Sequence, residues 1–491
     1  MKLDELIEYL KYKDLINFKN VEISGISYNS NTTKHGDIFI CLVGEHTDGH
    51  EYAQKAIDNG AVALLVERKV EGVSVPQIQV ASTRHQIADI ADRFYSSPSK
   101  GINLLGVTGT NGKTTVTHLI QKIIEENGQK CALIGTLGYK LSSTSEYRNA
   151  KHTTPQAPEL QATLRMIKDI EKIDNVVMEV SSHALEQNRV GGCRFNGAIF
   201  TNLTQDHLDY HITMDNYFKA KALLFQRLQE GNFAIVNIDD EYGEKFLAEV
   251  PEGVHKYTYG VKNEADVMAK DVKFSLNGAE FILKYKDSEY SVSLHMNGMF
   301  SVYNVLAAIT SAIAMGIDIN LAIKSLQSVH GVAGRFEVVN KKPLVIVDYA
   351  HTPDGLENVL KAAREITPQN GKLICVFGCG GDRDVTKRPK MGAIAQKLAD
   401  RIIITSDNPR SENPQQIITD IIAGLSSVDP EIVTVEPDRG QAIALLKNLA
   451  ENNDVVVIAG KGHEDYQILN DRTIHFDDRE EAKKVFVGSV I

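Results

Sequence analysis

Three groups of residues in this chain have types and spacings suited to chemistry. The first is the run Gly109-Thr110-Asn111-Gly112-Lys113-Thr114-Thr115. Glycines let backbone N–H groups approach phosphate oxygens, a lysine neutralises them, and a hydroxyl from Thr114 or Thr115 can hold Mg²⁺. The run is a variant of the usual phosphate loop: Val107 stands where that pattern has its first glycine, with Gly106 one place back. It predicts an enzyme that uses ATP.

The second group is acidic and rich in histidine. Glu179 closes an apolar run and is followed by Ser181, Ser182 and His183; Asn202 precedes Asp206, His207, Asp209 and His211; Tyr217-Phe218-Lys219-Ala220-Lys221 comes next. A carboxylate and an imidazole at strand ends near a triphosphate suit Mg²⁺ ligation. The third group lies late in the chain. It comprises Asp348-Tyr349-Ala350-His351, Gly380-Gly381-Asp382-Arg383-Asp384, Lys387-Arg388, Asp407-Asn408-Pro409-Arg410 and Gly460-Lys461-Gly462-His463-Glu464. Arginine forks for carboxylates and acids for an ammonium point to a small zwitterionic substrate.

Positioning these groups calls for strands followed by helices. An apolar strand over 102–107 leads into the glycine run, and a helix follows with apolar positions at Val116, Leu119, Ile120, Ile123 and Ile124 and a stop at Gly128. Strand, glycine loop, helix is the unit that presents a helix N-terminus to phosphate. Further strands end near Glu179, Asn202 and Asn237, which argues for a mostly parallel sheet. A later block begins near Gly331, with strands over 344–348, 373–377, 401–405 and 454–459, each followed by a polar loop where α/β folds bind ligands. The first block has short strands over 37–43 and 61–66 and a helix over 85–95, and the polar stretch 96–101 reads as a linker. The fold class is α/β in three domains: 1–100, 101–331 with a phosphate-loop sheet, and 332–491, Rossmann-like.

The length, 491 residues, suits about three domains. A net charge of −11 without a basic stripe argues against nucleic acid or an anionic membrane as partner. No apolar stretch is long enough to span a bilayer, the richest, 307–315, reading as a packed helix, and the N-terminus has acids where a signal peptide would be apolar. The five cysteines, Cys41, Cys131, Cys193, Cys375 and Cys379, have neither disulfide nor zinc spacing and read as buried thiols of a cytoplasmic protein. The oligomeric state is not encoded in any pattern we read.

Taken in order, GVTGTNGKTT, MEVSSHAL, TNLTQDHLDYH, YFKAKALLF, YAHTPD, GCGGDRD, DNPR and AGKGHEDYQ resemble the motifs of the Mur ligase family of amide-bond-forming enzymes, over nearly the whole chain. The resemblance implies a UDP-sugar-binding first domain, a central ATP-binding domain and a C-terminal amino-acid-binding domain. It implies that ATP, with Mg²⁺, phosphorylates the γ-carboxylate of UDP-N-acetylmuramoyl-L-alanyl-D-glutamate (UDP-MurNAc-L-Ala-D-Glu), and that an amino acid's amine attacks the acyl phosphate. Lys113 and the loop, with Asn304 and Arg335, would serve ATP. Glu179, His207 and a carbamylated Lys221, with Thr114 and Thr115, would serve Mg²⁺. Ser30, Glu45, His46 and Thr47, then His152, Thr153, Thr154, Ser181, Gln187 and Arg189, match contacts to the UDP-linked substrate. Asn29-Ser30-Asn31 departs from the family's frequent Asp-Ser-Arg.

In the family, the Asp407-Asn408-Pro409-Arg410 motif accompanies meso-diaminopimelate, whose second carboxylate Arg410 can pair. Arg388, Gly460 and Glu464 match its other contacts. A relative adding L-lysine or another amino acid is the alternative. A folylpolyglutamate synthetase-like enzyme would not need the first domain. An ATP-binding scaffold without turnover would not need the set Lys113, Glu179, His207 and Lys221.

Overall fold

The computed structural model describes residues 1–10, 13–44, 47–148, 152–275 and 278–486. Glu45 and His46 lie outside the described residues. The chain forms two compact units, one of residues 1–106, 130–198 and 223–232, the other of 107–129, 199–222 and 233–491.

The first unit holds a five-stranded sheet, ordered Asp14–Ile16, Gln77–Gln79, Ala63–Val66, Asp37–Ile40, Gly25–Ser27. Its first pair is antiparallel and the rest parallel. Alternation across a strand explains its two cores. Ile38 and Ile40 join Leu6, Ile7, Ile87 and Ile90 on one face, while Phe39 and Cys41 join Ala53 and Ala56 on the other. The same unit contains the parallel pair Cys131–Gly135 and Asn175–Glu179, every residue of which is buried. Gly138–Lys140 adds an antiparallel edge to that pair.

The stretch expected as a linker is instead a packed turn. Pro98–Gly101 is a 3₁₀ helix with Pro98 and Ser99 buried, and the Ser99 hydroxyl accepts from the Arg194 backbone N–H at 3.1 Å. Proline fixes the first turn, and the small serine fits beneath the chain.

In the second unit the helix after the glycine run is Lys113–Glu126, and its apolar face packs against the buried helix Met299–Ala314. Strands Phe233–Asn237, His255–Gly260 and Val267–Ser275 run parallel. Val267–Ser275, Gly278–Tyr285 and Ser288–Leu294 then form an antiparallel meander. The mostly parallel sheet expected from strand–helix alternation therefore has antiparallel edges, because short turns rather than helices join these last strands.

The C-terminal sheet has six strands, ordered Glu337–Lys341, Leu344–Asp348, Val455–Ala459, Leu373–Phe377, Arg401–Ile404, Val433–Val435. All pairs after the first are parallel. Both faces are covered, as parallel sheets require. Ile346, Leu373, Cys375 and Phe377 pack with helices Pro353–Glu365, Lys387–Leu398 and Pro414–Ile422. Val345, Val347, Ile374 and Val376 pack on the other side with Ile443, Leu446 and Ala482. The strand ends Asp348, Ile404 and Ala459 thus open onto one edge, where the late motifs follow. All five cysteines are buried. Among the described residues no helix is long and apolar enough to cross a membrane.

Candidate active site

The glycine run sits between strand Asn103–Thr108 and helix Lys113–Glu126. Gly109 has φ +149° and Gly112 φ +86°. A Cβ at Gly109 would collide with the Thr201 hydroxyl, and one at Gly112 with the Asn304 side chain, so both positions need glycine for space as well as for φ. The loop is braced by the neighbouring strand end. Thr110 N–H donates to Asn202 O (2.8 Å), Asn111 N–H to Asn202 Oδ1 (2.9 Å), and the Thr201 hydroxyl to Asn111 O (2.6 Å). Lys113 Nζ folds back on the carbonyls of Gly109 (2.9 Å) and Thr110 (2.8 Å).

Lys221 Nζ donates to the same Gly109 carbonyl at 2.8 Å and lies 4.6 Å from the Tyr217 ring centre. Burial, and then the charge of Lys113, hold it well below the usual lysine range, against the opposing pull of Asp206. The setting therefore lowers the cost of its neutral amine.

Asp206 forms a hub next to this loop. Its carboxylate is 3.2 Å from His207 Nε2 and 3.9 Å from His351 Nε2. Burial alone would raise its pKa, but His207, Lys387 and His351 outweigh it and hold the carboxyl well below the usual range. His351 is pushed down to about 4, by burial first and Lys387 next. Arg335 donates to the Thr114 hydroxyl at 3.2 Å, and Asn111 Nδ2 donates to Asp354 Oδ2 at 2.8 Å. Beside the loop lies a cavity of about 330 Å³, whose wall includes Asn111, Asp240, Tyr303, Asn304, Arg335 and Asp354. Its mixture of aromatic and polar groups suits a base and ribose.

Glu179 belongs to the first unit, whereas His207 and Lys221 belong to the second. Glu179 ends its strand almost wholly buried, and Thr136 donates to it twice, from N–H (3.0 Å) and hydroxyl (3.0 Å). Thr153 meets the Thr136 hydroxyl at 3.2 Å. The Thr154 hydroxyl donates to Glu179 O (2.9 Å), and Arg189 holds both Thr154 O (3.0 Å) and Gln187 Oε1 (2.7 Å). Ser181 caps the short helix Ser182–Glu186. The structure thus gathers Thr153, Thr154, Ser181, Gln187 and Arg189 around one strand end. His152 is exposed, as is Thr47, whose carbonyl accepts from Gly44 N–H (2.8 Å). Ser30 is buried, and its carbonyl accepts from Asn59.

Within the second unit the donors available to a metal beside the loop are mostly hard oxygens: the Thr114 and Thr115 hydroxyls and the Asp206 carboxylate. Among the described residues no group of three or more His, Cys, Asp or Glu forms a ready-made cage. Hard oxygen donors suit Mg²⁺, which keeps water and shares substrate phosphates.

At the C-terminal strand ends Arg410, at φ +52°, donates to Gly381 O (2.7 Å). Pro409 is buried ahead of it. Asn408 Nδ2 donates to Glu464 Oε2 (2.9 Å), and Lys461 Nζ reaches Asn408 Oδ1 (3.1 Å) and Glu464 Oε2 (3.2 Å). Asp407 and Gly460 flank this group, with Gly460 at φ +123°. Arg388 is buried and already bonded to Glu412 and Asp420, both at 2.8 Å. Thr136, Asp354 and Lys461 were not picked out individually from sequence. Asp354 and Lys461 sit inside motifs that were, so their burial pattern is the missing signal; Thr136 lies in none.

Known proteins match this arrangement. Residues 107–312 match the Mur ligase middle domain, 334–462 the Mur ligase glutamate ligase domain, and 22–95 the model described as Mur ligase family, catalytic domain. The UDP-N-acetylmuramoyl-L-alanyl-D-glutamate–2,6-diaminopimelate ligase of Syntrophomonas wolfei is 47% identical over 497 residues, covering 100% of both chains. The enzyme of that name from Clostridium botulinum is 44% identical, covering 98% of each. A solved structure of a ligase of that name superposes with TM-score 0.69 at 33% identity, covering 100% of this chain and 99% of the other. With its glycine loop and its three matched segments in the expected order, the chain belongs to the Mur ligase family.

Proposed function

We propose that this chain is an ATP-dependent, ADP-forming amide ligase that joins meso-diaminopimelate to the γ-carboxylate of UDP-MurNAc-L-Ala-D-Glu in peptidoglycan precursor synthesis. The observation that carries the reading is Lys221, wholly buried against Lys113 at the Gly109 carbonyl. A simple phosphate-loop ATPase has no use for a second lysine there. A ligase that must bring a carboxylate to a γ-phosphate does, once the neutral amine has formed an N–C bond to CO₂ and released one proton to solvent, becoming a carbamate anion.

In this reading Lys113 offsets the repulsion between the two anions, and the loop N–H groups orient the triphosphate. Mg²⁺, when bound, supplies further neutralisation of those anions. Thr114, Thr115, Glu179, His207 and carbamylated Lys221 are its proposed protein ligands. Asn304 and Arg335, on the wall of the cavity, are assigned to the nucleotide. Thr153, Thr154, Ser181, Gln187 and Arg189, with His152, Ser30, Glu45, His46 and Thr47, are assigned to the UDP-linked substrate. Arg410, Glu464, Asp407, Asn408, Pro409, Gly460 and Arg388 are assigned to diaminopimelate, Arg410 taking the distal carboxylate.

The corresponding domains are 1–100, 101–331 and 332–491, and the cytoplasm is the compartment in which this substrate set would be used. The test is stoichiometric. Purified chain with ATP, Mg²⁺, both substrates and none omitted is expected to form tripeptide product, ADP and phosphate in equal amounts. Phosphate release independent of the amino acid would contradict the reading.

A further inference from the structure

Lys461 is wholly buried on the turn after strand Val455–Ala459, an unusual place for an ammonium group. It is held by Asn408 and Glu464 and stands 3.6 Å from Asp407 Oδ1. Asp407 Oδ1 is itself buried without a hydrogen-bond partner, an acceptor that a bound donor would satisfy. Asp407 is 7% exposed. Burial and then Arg383 lower the Arg410 pKa while Asp407 and Glu464 raise it, and the guanidinium keeps its full charge. Nearby Arg439 is balanced by its own partner, Asp478. Arg383 is set against Asp382 at Arg410, and Arg388 against Glu412 and Asp420; the four groups around Asn408, namely Asp407, Glu464, Arg410 and Lys461, are two acids and two bases, so their charges cancel.

That balance has a consequence for selectivity. The distal end of diaminopimelate carries an ammonium and a carboxylate and is net neutral. The distal end of lysine is a lone ammonium. A balanced site suits the first; a site with one acid in excess suits the second. We propose that Lys461 is the residue that sets this preference, cancelling one of the two acids and holding Glu464 and Asn408 in place, so that the site takes a zwitterionic terminus rather than a bare ammonium. Lys461 acts through its neighbours and is a positioning residue. The inference rests on the amide-ligase reading above.

The experiment compares diaminopimelate and L-lysine as substrates of the parent chain, Lys461→Met, Glu464→Gln and the double variant, with KM for ATP measured alongside. Lys461→Met is expected to lower the diaminopimelate-to-lysine ratio of kcat/KM by about tenfold or more, the worth of one charged hydrogen bond. The change should appear in KM for the amino acid and leave KM for ATP unaltered. Glu464→Gln is expected to move the ratio the other way, and the double variant, again balanced, to return it toward the parent. A purely structural lysine would lower both substrates alike and show no recovery. If Lys461→Met does not fold, Glu464→Gln decides: a ratio that falls or stays constant overturns the proposal. A parent chain that makes no diaminopimelate product overturns the amide-ligase reading and this one with it. A parent that does make it, with unchanged ratios in the variants, overturns the role of Lys461 alone.

Discussion

Replacing Arg439 by methionine should loosen the amino-acid end of the site from behind. Arg439 and Asp478 are both fully buried and joined by two bonds of 2.7 Å. The guanidinium also donates to Ala459 O (3.0 Å) and Ser406 O (3.3 Å), the residues just before Gly460 and Asp407. Removing one partner of a buried pair leaves an uncompensated charge and costs about 3–5 kcal/mol. Arg439→Met with Asp478→Leu removes both charges, leaving chiefly two carbonyls short of a donor, at about 1–3 kcal/mol. The double variant should therefore be more stable than the single one. The chain has no tryptophan, so native-state hydrogen exchange in strands Arg401–Ile404 and Val455–Ala459 is the suitable readout of local stability. KM for the amino acid should rise in Arg439→Met while KM for ATP holds. A loss under about 1 kcal/mol, or a double variant no better than the single, would refute the reasoning.

Further predictions concern the remaining parts of the site. Burial raises Asp240 to about 6, despite bonds from Leu203 and Tyr242 N–H, so the folded chain holds this proton more tightly than the unfolded chain. Its contribution is fully present below about pH 4 and is lost as pH rises through about 6, a swing of about 2–3 kcal/mol. Asp240→Asn should accordingly gain stability relative to the parent across that window, and a flat difference in Tm against pH would contradict this. Thr136→Val removes the hydroxyl bond to Glu179 while keeping the shape; kcat should fall about ten- to a hundredfold, and unchanged kcat would show that Glu179 needs no such support. Lys221→Met should abolish turnover, and intact-protein mass at high bicarbonate should show one added CO₂ in the parent but not the variant. Equal masses, or an active variant, would remove the carbamate from the account.

How much of this was legible beforehand depends on how local the cause is. The glycine run was readable because Gly109, Gly112 and Lys113 act through their own backbone and lie between an apolar strand and an amphipathic helix. Strands such as Leu373–Phe377 were readable as unbroken apolar runs that a doubly covered sheet demands. The meander from Val267 to Leu294 was not assigned, since its strands are half exposed and their alternation is diluted by lysines and serines. Lys221 could be interpreted only through family resemblance; by residue type it is a poor metal ligand. Thr136 and the hub at Asp206 depend on contacts between distant parts of the chain, which no spacing reveals. The pairing of Arg388 with Glu412 and Asp420 is of the same kind.

The central claim is that this chain adds a zwitterionic diamino acid to an activated carboxylate, and a competition assay tests it most directly. Purified chain would receive UDP-MurNAc-L-Ala-D-Glu, ATP, Mg²⁺ and equal concentrations of meso-diaminopimelate and L-lysine, and the products would be separated by mass. The account predicts that the diaminopimelate tripeptide dominates and that Arg410→Ala erodes the preference. A predominance of the lysine product, or no tripeptide of either kind, would contradict it.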